Sequence, residues 1–552
     1  MEQNKYCTYD PVKKVWSGRK FTPIYNTEAN LGYLILQRLI QSPQNVFQVS
    51  DDSGIKLTNL DIYKRSIKFL NFLSKSGLKQ GDVLGLNASN SEHLAPIIFS
   101  CFVLGVAVNP LAVVMDIDDI CSMWSKTRPK IIFCDGKIVK KVKIANEKME
   151  LHAKIFTVVE KVEGFISADE ILEAEDDIFE DFEFPDLPNI SSTIALIICS
   201  SGTTNAAKGI CKSHKQVITQ FIPFVETNFV SQDVYIISMS SYWVSFHWFL
   251  ISSALYNFKI IITTKPITPT NWMDIIERHQ VTVAVCAPRF GQVLLKSSNL
   301  RKLFGLRAVI VAGSSFSEKF INDLMPIFPN AVVQCGYGCT ECDCISSTRK
   351  VGPKGSSSGY PFDNVNIKIV DEFGQPLGPN EVGEMHFKTL VPFSNYYSDS
   401  ETYENSFGTE GFIKSGDIGY VDDEGHLFIL DRIKHMIKSK SSIKVTPIEL
   451  EEVINEIDGV MQSCVVGVFD NEEFYDIIYA FVIKDKANIE LTEEFVMNFV
   501  NSRVTEAKRI TGGIYFVEAF PMTPSGKVLN RKLKELAMEI HAKKLLNLIK
   551  IE

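Results

Sequence analysis

Strand-length apolar runs alternating with stretches of helical length constrain this chain more than any other feature. DVLGLN (82–87), KIIFCD (130–135), KIIITT (259–264), VTVAVCAP (281–288) and LRAVIVAG (306–313) are short, strand-like and largely apolar. Such runs suit strands buried on both faces. Between them lie segments such as DIYKRSIKFLNFLSKSG and TNWMDIIERHQ, long enough for helices. The alternation predicts an α/β fold of doubly wound, mostly parallel sheets across the first 430 or so residues. No internal repeat at a fixed period interrupts it. A chain of 552 residues exceeds what one core usually holds, so more than one domain is expected.

Two uncharged stretches invite a membrane reading. Leu94–Met115 is long enough to span a bilayer, but Pro96, Gly105 and Asn109-Pro110 divide it into a buried helix, a turn and a strand. Val234–Phe258 carries six serines and His247, and also reads as protein interior. No transmembrane segment is therefore expected. The formal charge of −9 argues against nucleic acid as a partner. Twelve cysteines spread over so long a chain do not form a disulfide framework, and a reducing compartment fits them. The first residues, MEQNKYCTYDPVKK, contain no apolar signal region, and the last, LNLIKIE, are not a Ser-Lys-Leu address. A cytoplasmic location is the expectation, with a peroxisomal one as the alternative. Oligomeric state has no signature here.

The acidic stretch Asp169–Asp186 reads as a solvated connection before a strand. After Asp431 the character changes: residues 432–445 hold five Lys or Arg and no acid, and TPIELEEVINEI follows as an expected capped helix. A boundary is placed there, giving domains 1–431 and 432–552.

The strongest local signal is IALIICSSGTTNAAKGICKSH (194–214). A buried strand enters a loop of small hydroxylated residues followed by Lys208. Such a loop suits polyphosphate, because backbone N–H groups approach closely, hydroxyls donate and the lysine adds charge. It is not the common P-loop, since Gly209-Ile210 follow the lysine. A second feature, QCGYGCTECDC (334–344), packs four cysteines into ten positions and raises the question of zinc. An extended segment turns alternate side chains to opposite faces, and no second ligand cluster accompanies it, so these cysteines are read as incidental.

Together these segments resemble the adenylate-forming superfamily of acyl-CoA synthetases, 4-coumarate–CoA ligases and beetle luciferases, nearest to the insect luciferase-like acyl-CoA synthetases. SSGTTNAAKG is similar to its phosphate-binding signature and GYGCTE (336–341) to its adenine and magnesium motif. GFIKSGDIGYVDDEGHLFILDRIKHMIK (411–438) resembles its ribose-binding segment and hinge, and PMTPSGKVLNRKLK (521–534) its C-terminal lysine motif. The resemblance implies a large N-terminal domain with a β-barrel-like subdomain and a small mobile C-terminal α+β domain. It implies ATP, Mg²⁺ and CoA as cofactors and a carboxylic acid as small-molecule partner. Ser201, Gly202, Thr203, Thr204 and Lys208 then hold phosphates, with Gly313, Ser314, Gly336, Tyr337, Gly338 and Thr340 around the nucleotide. Asp417 and Arg432 serve the ribose, Glu341 the Mg²⁺, Asp431 the hinge and Lys527 the chemistry. Lys438 and Lys440 are the CoA-side candidates, and Trp243, Val244 and His247 the acyl-pocket ones.

Three departures from the family pattern stand out. Asn205 and Ala207 replace glycine and proline in the phosphate loop, Ser441-Ser442 replace a glycine near the thioester-forming loop, and YWVSFHW (242–248) replaces the luciferase His-His-Gly-Phe. The leading expectation is an AMP-forming ligase making acyl-CoA from a hydrophobic, fatty or aromatic acid. A light-producing monooxygenase and a catalytically weak adenylate-binding relative are the alternatives.

Overall fold

The computed structural model describes residues 6–174, 184–200, 208–228, 230–440, 444–471, 473–485, 491–522 and 528–549. Among them, three large sheets build the N-terminal part. The first runs Asn395–Tyr396, Lys208–Ser213, Ile194–Ser200, Ala107–Pro110, Val83–Asn87, Ile131–Cys134, Lys154–Thr157. Its last five strands are mutually parallel, and the two at the near edge are antiparallel. The second, nine-stranded sheet is parallel from Val332–Cys339 through Ala308–Val311, Val283–Val285, Val234–Ile236 and Lys259–Ile262 to Val46–Ser50. Each expected strand lies within its predicted run, and the helices Asn59–Lys75 and Pro269–Arg278 overlap their predicted segments, starting two residues and one residue earlier. The fold is α/β.

The first membrane-length stretch resolves as expected. Leu94–Leu104 is a helix with every residue buried, Gly105 ends it at φ +65°, and Ala107–Pro110 is a central strand. That left-handed cap suits glycine, which lacks a Cβ to clash. The second divides into the strand Val234–Ile236 and the helix Val244–Tyr256. Among the described residues no helix is long and apolar enough to cross a membrane.

A third sheet of six antiparallel strands, from Cys7–Asp10 to Leu427–Arg432, stands in the barrel-like position. Register shifts at Glu384/His386 and Ile418/Gly419 bend it. Beyond it, the hairpin Val460–Asp470/Tyr475–Lys484 and the strand Gly513–Phe516 pack with the helices Pro447–Asn455, Glu493–Asn501 and Asn530–Ile549 into a small α+β unit. The capped-helix reading of TPIELEEVINEI needs one correction. Thr446 occupies the N-cap without a side-chain cap bond, and Glu449, the third helical residue, is drawn away by Lys508 at 2.6 Å. Of the acidic stretch, Ala168–Glu173 is a helix capped by Ser167 and Glu170, and residues 175–183 lie outside the described residues.

Candidate active site

In open parallel sheets, ligands settle beyond the carboxyl ends of the strands. Here Val283–Val285 leads to Arg289, Ala308–Val311 to exposed Gly313 and Ser314, and Val332–Cys339 to Thr340 and Glu341. Two neighbouring strand ends thus deliver Gly313, Ser314, Thr340 and Glu341, singled out from sequence, and the third adds Arg289, which was not.

The Val332–Cys339 strand turns back as Asp343–Ser347, pairing Gly338 with Cys344 and Cys339 with Asp343. At Gly338 a Cβ would overlap the Asp343 carbonyl oxygen, so the hairpin closes only on glycine. Its four cysteines do not converge. Cys335 is buried in one apolar cluster, while Cys342 and Cys344 are buried in another, against which Cys339 packs. Burial pushes the Cys335 thiol up to about 12, and all twelve cysteines are free thiols.

Two polar clusters flank this turn. In the first, the Tyr396 hydroxyl donates to Glu341 Oε1 at 2.9 Å, and the Lys208 ammonium lies 5.0 Å from the Tyr396 ring centroid. Burial, then the Glu341 charge, holds the Tyr396 hydroxyl protonated well above its ordinary range. In the second, the Tyr337 hydroxyl donates to Asp417 Oδ2 and Arg432 Nε lies 2.8 Å from Asp417 Oδ1. Antiparallel pairing sets Asp417 opposite Arg432, and Ser415 Oγ accepts from the Asp417 amide. Burial opposes the Arg432 charge, but Asp417, Tyr337, Cys339 and Glu341 together raise its pKa. Arg432 therefore links the two clusters electrostatically.

The remaining candidates are placed less uniformly. Trp243 is the half-buried N-cap of the Val244–Tyr256 helix, and Val244 is half-buried beside it. His247 is fully buried, with Nε2 2.8 Å from the Ser241 carbonyl, and burial lowers its pKa to about 4. Phe246 belongs to the core, whereas Trp248 is half-buried and donates to Asp343 at 3.3 Å. Asp431 Oδ1 accepts from the Arg432 amide at 2.6 Å and lies 3.3 Å from His435. Lys438 and Lys440 are exposed, and the Lys438 amide donates to Asp476. Ser201, Gly202, Thr203, Thr204, Asn205, Ala207, Ser441-Ser442 and Lys527 lie outside the described residues. Residues flanking Lys527 are placed: Met522 bridges to Val528, and Arg289 Nη1 approaches the Met522 sulfur at 3.0 Å.

Sequence reasoning missed Tyr396, nearly two hundred residues from the phosphate loop with no local mark. It also passed over a fully buried ion pair, Lys212 Nζ to Asp343 Oδ1 at 2.8 Å. A lysine inside the apolar strand GICKS was the available signal.

Residues 37–397 match the AMP-binding enzyme family, and residues 449–527 match the AMP-binding enzyme C-terminal domain. The chain belongs to the AMP-binding enzyme family. Among curated relatives of this AMP-binding enzyme, 4-coumarate–CoA ligase 1 of Petroselinum crispum is 27% identical over 89% of this chain and 92% of its own. Luciferin 4-monooxygenase of Photuris pensylvanica is 27% identical over 88% and 90%. The fold matches ATP-bound MatB from Rhodopseudomonas palustris with a TM-score of 0.81 at 22% identity, covering 92% of this chain and 99% of that one. The adenylate-forming resemblance drawn from the motifs and the α/β fold with a small C-terminal domain both hold.

Proposed function

We propose that this chain is an ATP-dependent ligase that converts a hydrophobic carboxylic acid, fatty or aromatic, into its acyl-adenylate and then its CoA thioester. The observation carrying this reading is the pair of clusters on one hairpin, Lys208–Tyr396–Glu341 and Tyr337–Asp417–Arg432. One suits phosphates and the other a ribose.

In the first half-reaction a carboxylate oxygen attacks the α-phosphorus, the bond to the β-phosphate oxygen breaks, and pyrophosphate leaves. Both reactants are anions, so catalysis rests on positioned cations and alignment. Lys208, with Ser201, Gly202, Thr203 and Thr204, holds the leaving phosphates. Gly313, Ser314, Gly336, Gly338 and Thr340 shape the nucleotide seat, and Tyr337 supports the adenine. Asp417, kept in place by Arg432 and Tyr337, accepts from the ribose hydroxyls.

Glu341 fits Mg²⁺ delivered with the nucleotide: a lone half-buried carboxylate suits an ion whose other ligands are phosphate oxygens and water. No group of three or more metal-binding side chains stands there among the described residues. When bound, the ion would neutralise phosphate charge. Lys527 bridges the acyl carboxylate and the α-phosphate as negative charge develops. In the second half-reaction the CoA sulfur attacks the acyl carbon, AMP leaves, and the thiol proton is released. We assign the domain boundary and hinge to Asp431, with Lys438 and Lys440 toward CoA. Trp243 and Val244 form the acyl side, where His247 acts from the core by holding the Ser241 carbonyl.

Pyrophosphate release from ATP and Mg²⁺ across medium-chain, long-chain and aryl-propenoic acids, with and without CoA, tests this. Release that needs acid and CoA and drops at least a hundredfold in Lys527→Ala is the expected result. Acid-dependent release without CoA dependence confines the activity to adenylation. Light on adding a luciferin would favour the monooxygenase instead, and no release with any acid would refute the ligase reading.

A further inference from the structure

Lys212 lies on the strand that follows the phosphate loop, four residues after Lys208 and therefore on the same face. Tyr396 pairs with Ile210 between them and points to that face too. Opposite stand Glu341 and Asp343. The strand and the turn thus meet through two rungs. One is half-buried, Lys208–Tyr396–Glu341; the other is sealed, Lys212–Asp343, with side-chain exposures of 0% and 1%.

The sealed rung is poorly explained as a source of stability. Removing two charges from water costs several kcal/mol per ion, and an apolar pair of similar volume is often at least as stable. What it supplies is direction. Asp343 Oδ1 lies 2.8 Å from Lys212 Nζ and accepts from Trp248 Nε1 at 3.3 Å, while Gln216 Nε2 reaches Asp343 Oδ2 at 3.5 Å and the Glu341 carbonyl at 3.4 Å. Three elements therefore converge on one carboxylate two residues beyond Glu341: the phosphate strand, the helix that begins at His214, and the helix carrying Trp248. Asp343 itself sits at φ +62°, which a residue with a side chain seldom adopts and which needs surrounding structure to hold it. Its carbonyl is the atom that closes on Gly338.

We propose that Lys212 and Asp343 are positioning residues for adenylation: their ion pair sets the Thr340–Glu341 turn against the phosphate strand and ties it through Trp248 to the acyl-side helix. This rests on the ligase reading for what the turn binds, but its test reads binding directly. ATP binding to the full-length protein is measured by calorimetry with and without Mg²⁺, alongside thermal unfolding, for wild type, Lys212→Met, Asp343→Asn, the double variant Lys212→Met/Asp343→Asn, and Trp248→Phe. Asparagine tolerates the left-handed backbone, so the double variant removes both charges while keeping the turn accessible.

Each single variant is expected to lower the melting temperature and to weaken Mg²⁺-dependent ATP binding by roughly tenfold, the size of one charge-assisted contact. The double variant is expected to regain melting temperature without regaining that binding. Trp248→Phe, which removes the N–H donor and part of the ring but neither charge, is expected to weaken the Mg²⁺-dependent part by less, and it carries the test with the double variant where a single variant fails to fold. Recovery of binding together with stability in the double variant would make the pair structural only and overturn the proposal. Unchanged binding in a folded Lys212→Met, or wild-type binding indifferent to Mg²⁺, would overturn it as well. A wild type that binds Mg²⁺-ATP yet turns over no acid sinks the ligase reading alone, and the comparison among variants still decides the positioning role.

Discussion

Replacing Arg432 with methionine removes a guanidinium while keeping most of its apolar stem, and the structure sets the size of the effect. The Asp417 carboxylate is 6% exposed, with Tyr337 on one oxygen and Arg432 on the other, so losing the cation leaves a nearly buried charge with one strong partner. A hydrogen bond to a charged group is worth about 1.5–3 kcal/mol. The Arg432 side chain is 43% exposed, and solvent screening moves the value toward the lower part of that range, about 2 kcal/mol. At 1.4 kcal/mol per tenfold, the affinity governed by Asp417 falls roughly thirtyfold.

Calorimetric titration with adenosine, AMP and ATP distinguishes what Arg432 serves. If it orients Asp417 for the ribose, all three ligands weaken by a similar factor, because all three carry the same hydroxyls. A loss for ATP with adenosine unchanged would mean that Arg432 acts on phosphates, and the reasoning would be refuted. Unchanged affinity for all three would reduce the pair to a surface contact.

Gly338→Ala forces a Cβ into the Asp343 carbonyl, so the hairpin must open; nucleotide binding is expected to be lost, with destabilisation of at least 1–3 kcal/mol by thermal or denaturant unfolding. His247 is buried neutral with its pKa lowered to about 4 from an ordinary 6.5, so between those values the unfolded state takes up a proton that the folded state refuses. The contribution of a neutral His247 is therefore complete above pH 6.5 and declines as pH falls toward 4, by about 3 kcal/mol at 1.4 kcal/mol per tenfold. His247→Gln should flatten that part of the acid-unfolding profile, and an unaltered profile would refute the assignment. Glu451 behaves in the opposite sense. Burial chiefly, with Asp431 and Glu452 adding, pushes its carboxyl up to about 8 from 4.5 despite a hydrogen bond from the Val465 amide. The folded state keeps that proton longer, so the contribution is full below pH 4.5 and lost as pH rises through 8. Glu451→Gln should remove this decline between pH 4.5 and 8, measured by denaturant unfolding across that range.

Much of the fold was legible because buried parallel strands leave a strong mark: apolar runs such as KIIFCD and LRAVIVAG have no other stable place in a protein of this composition. Asp417 and Arg432 were legible as separate motif positions, and strand register explains why they meet. Tyr396 was not, because it enters the site from a two-residue edge strand whose neighbours in sequence say nothing of the Lys208–Ser213 strand beside it. The Lys212–Asp343 pair shows a different difficulty. Each residue looks anomalous alone, a lysine in an apolar strand and an aspartate among cysteines, and only tertiary packing turns two anomalies into one neutral unit. Trp248 illustrates how an aromatic in an apolar stretch defaults to core packing on sequence grounds, although its indole N–H serves the turn.

The C-terminal unit must present two different faces if one site is to serve both half-reactions, and its internal packing is compatible with that demand. Its two apolar clusters, one from Ile437 to Ile514 and the other from Cys464 to Ala537, draw their buried residues from beyond Asp431. Among the described contacts to the larger part, Arg289 reaches Gln462 and Met522, and Lys296 reaches the carbonyls of Val460 and Met461. These are long side chains on polar or polarisable acceptors, the character of an interface that forms and parts rather than of a shared core. Rotation about Asp431 would then break a few replaceable polar contacts and expose no hydrophobic cluster. The residues proposed to recognise the nucleotide sit on strand ends and one tight hairpin, which belong to the larger part. Lys527, proposed to drive the chemistry, belongs to the unit that the proposed rotation about Asp431 would carry.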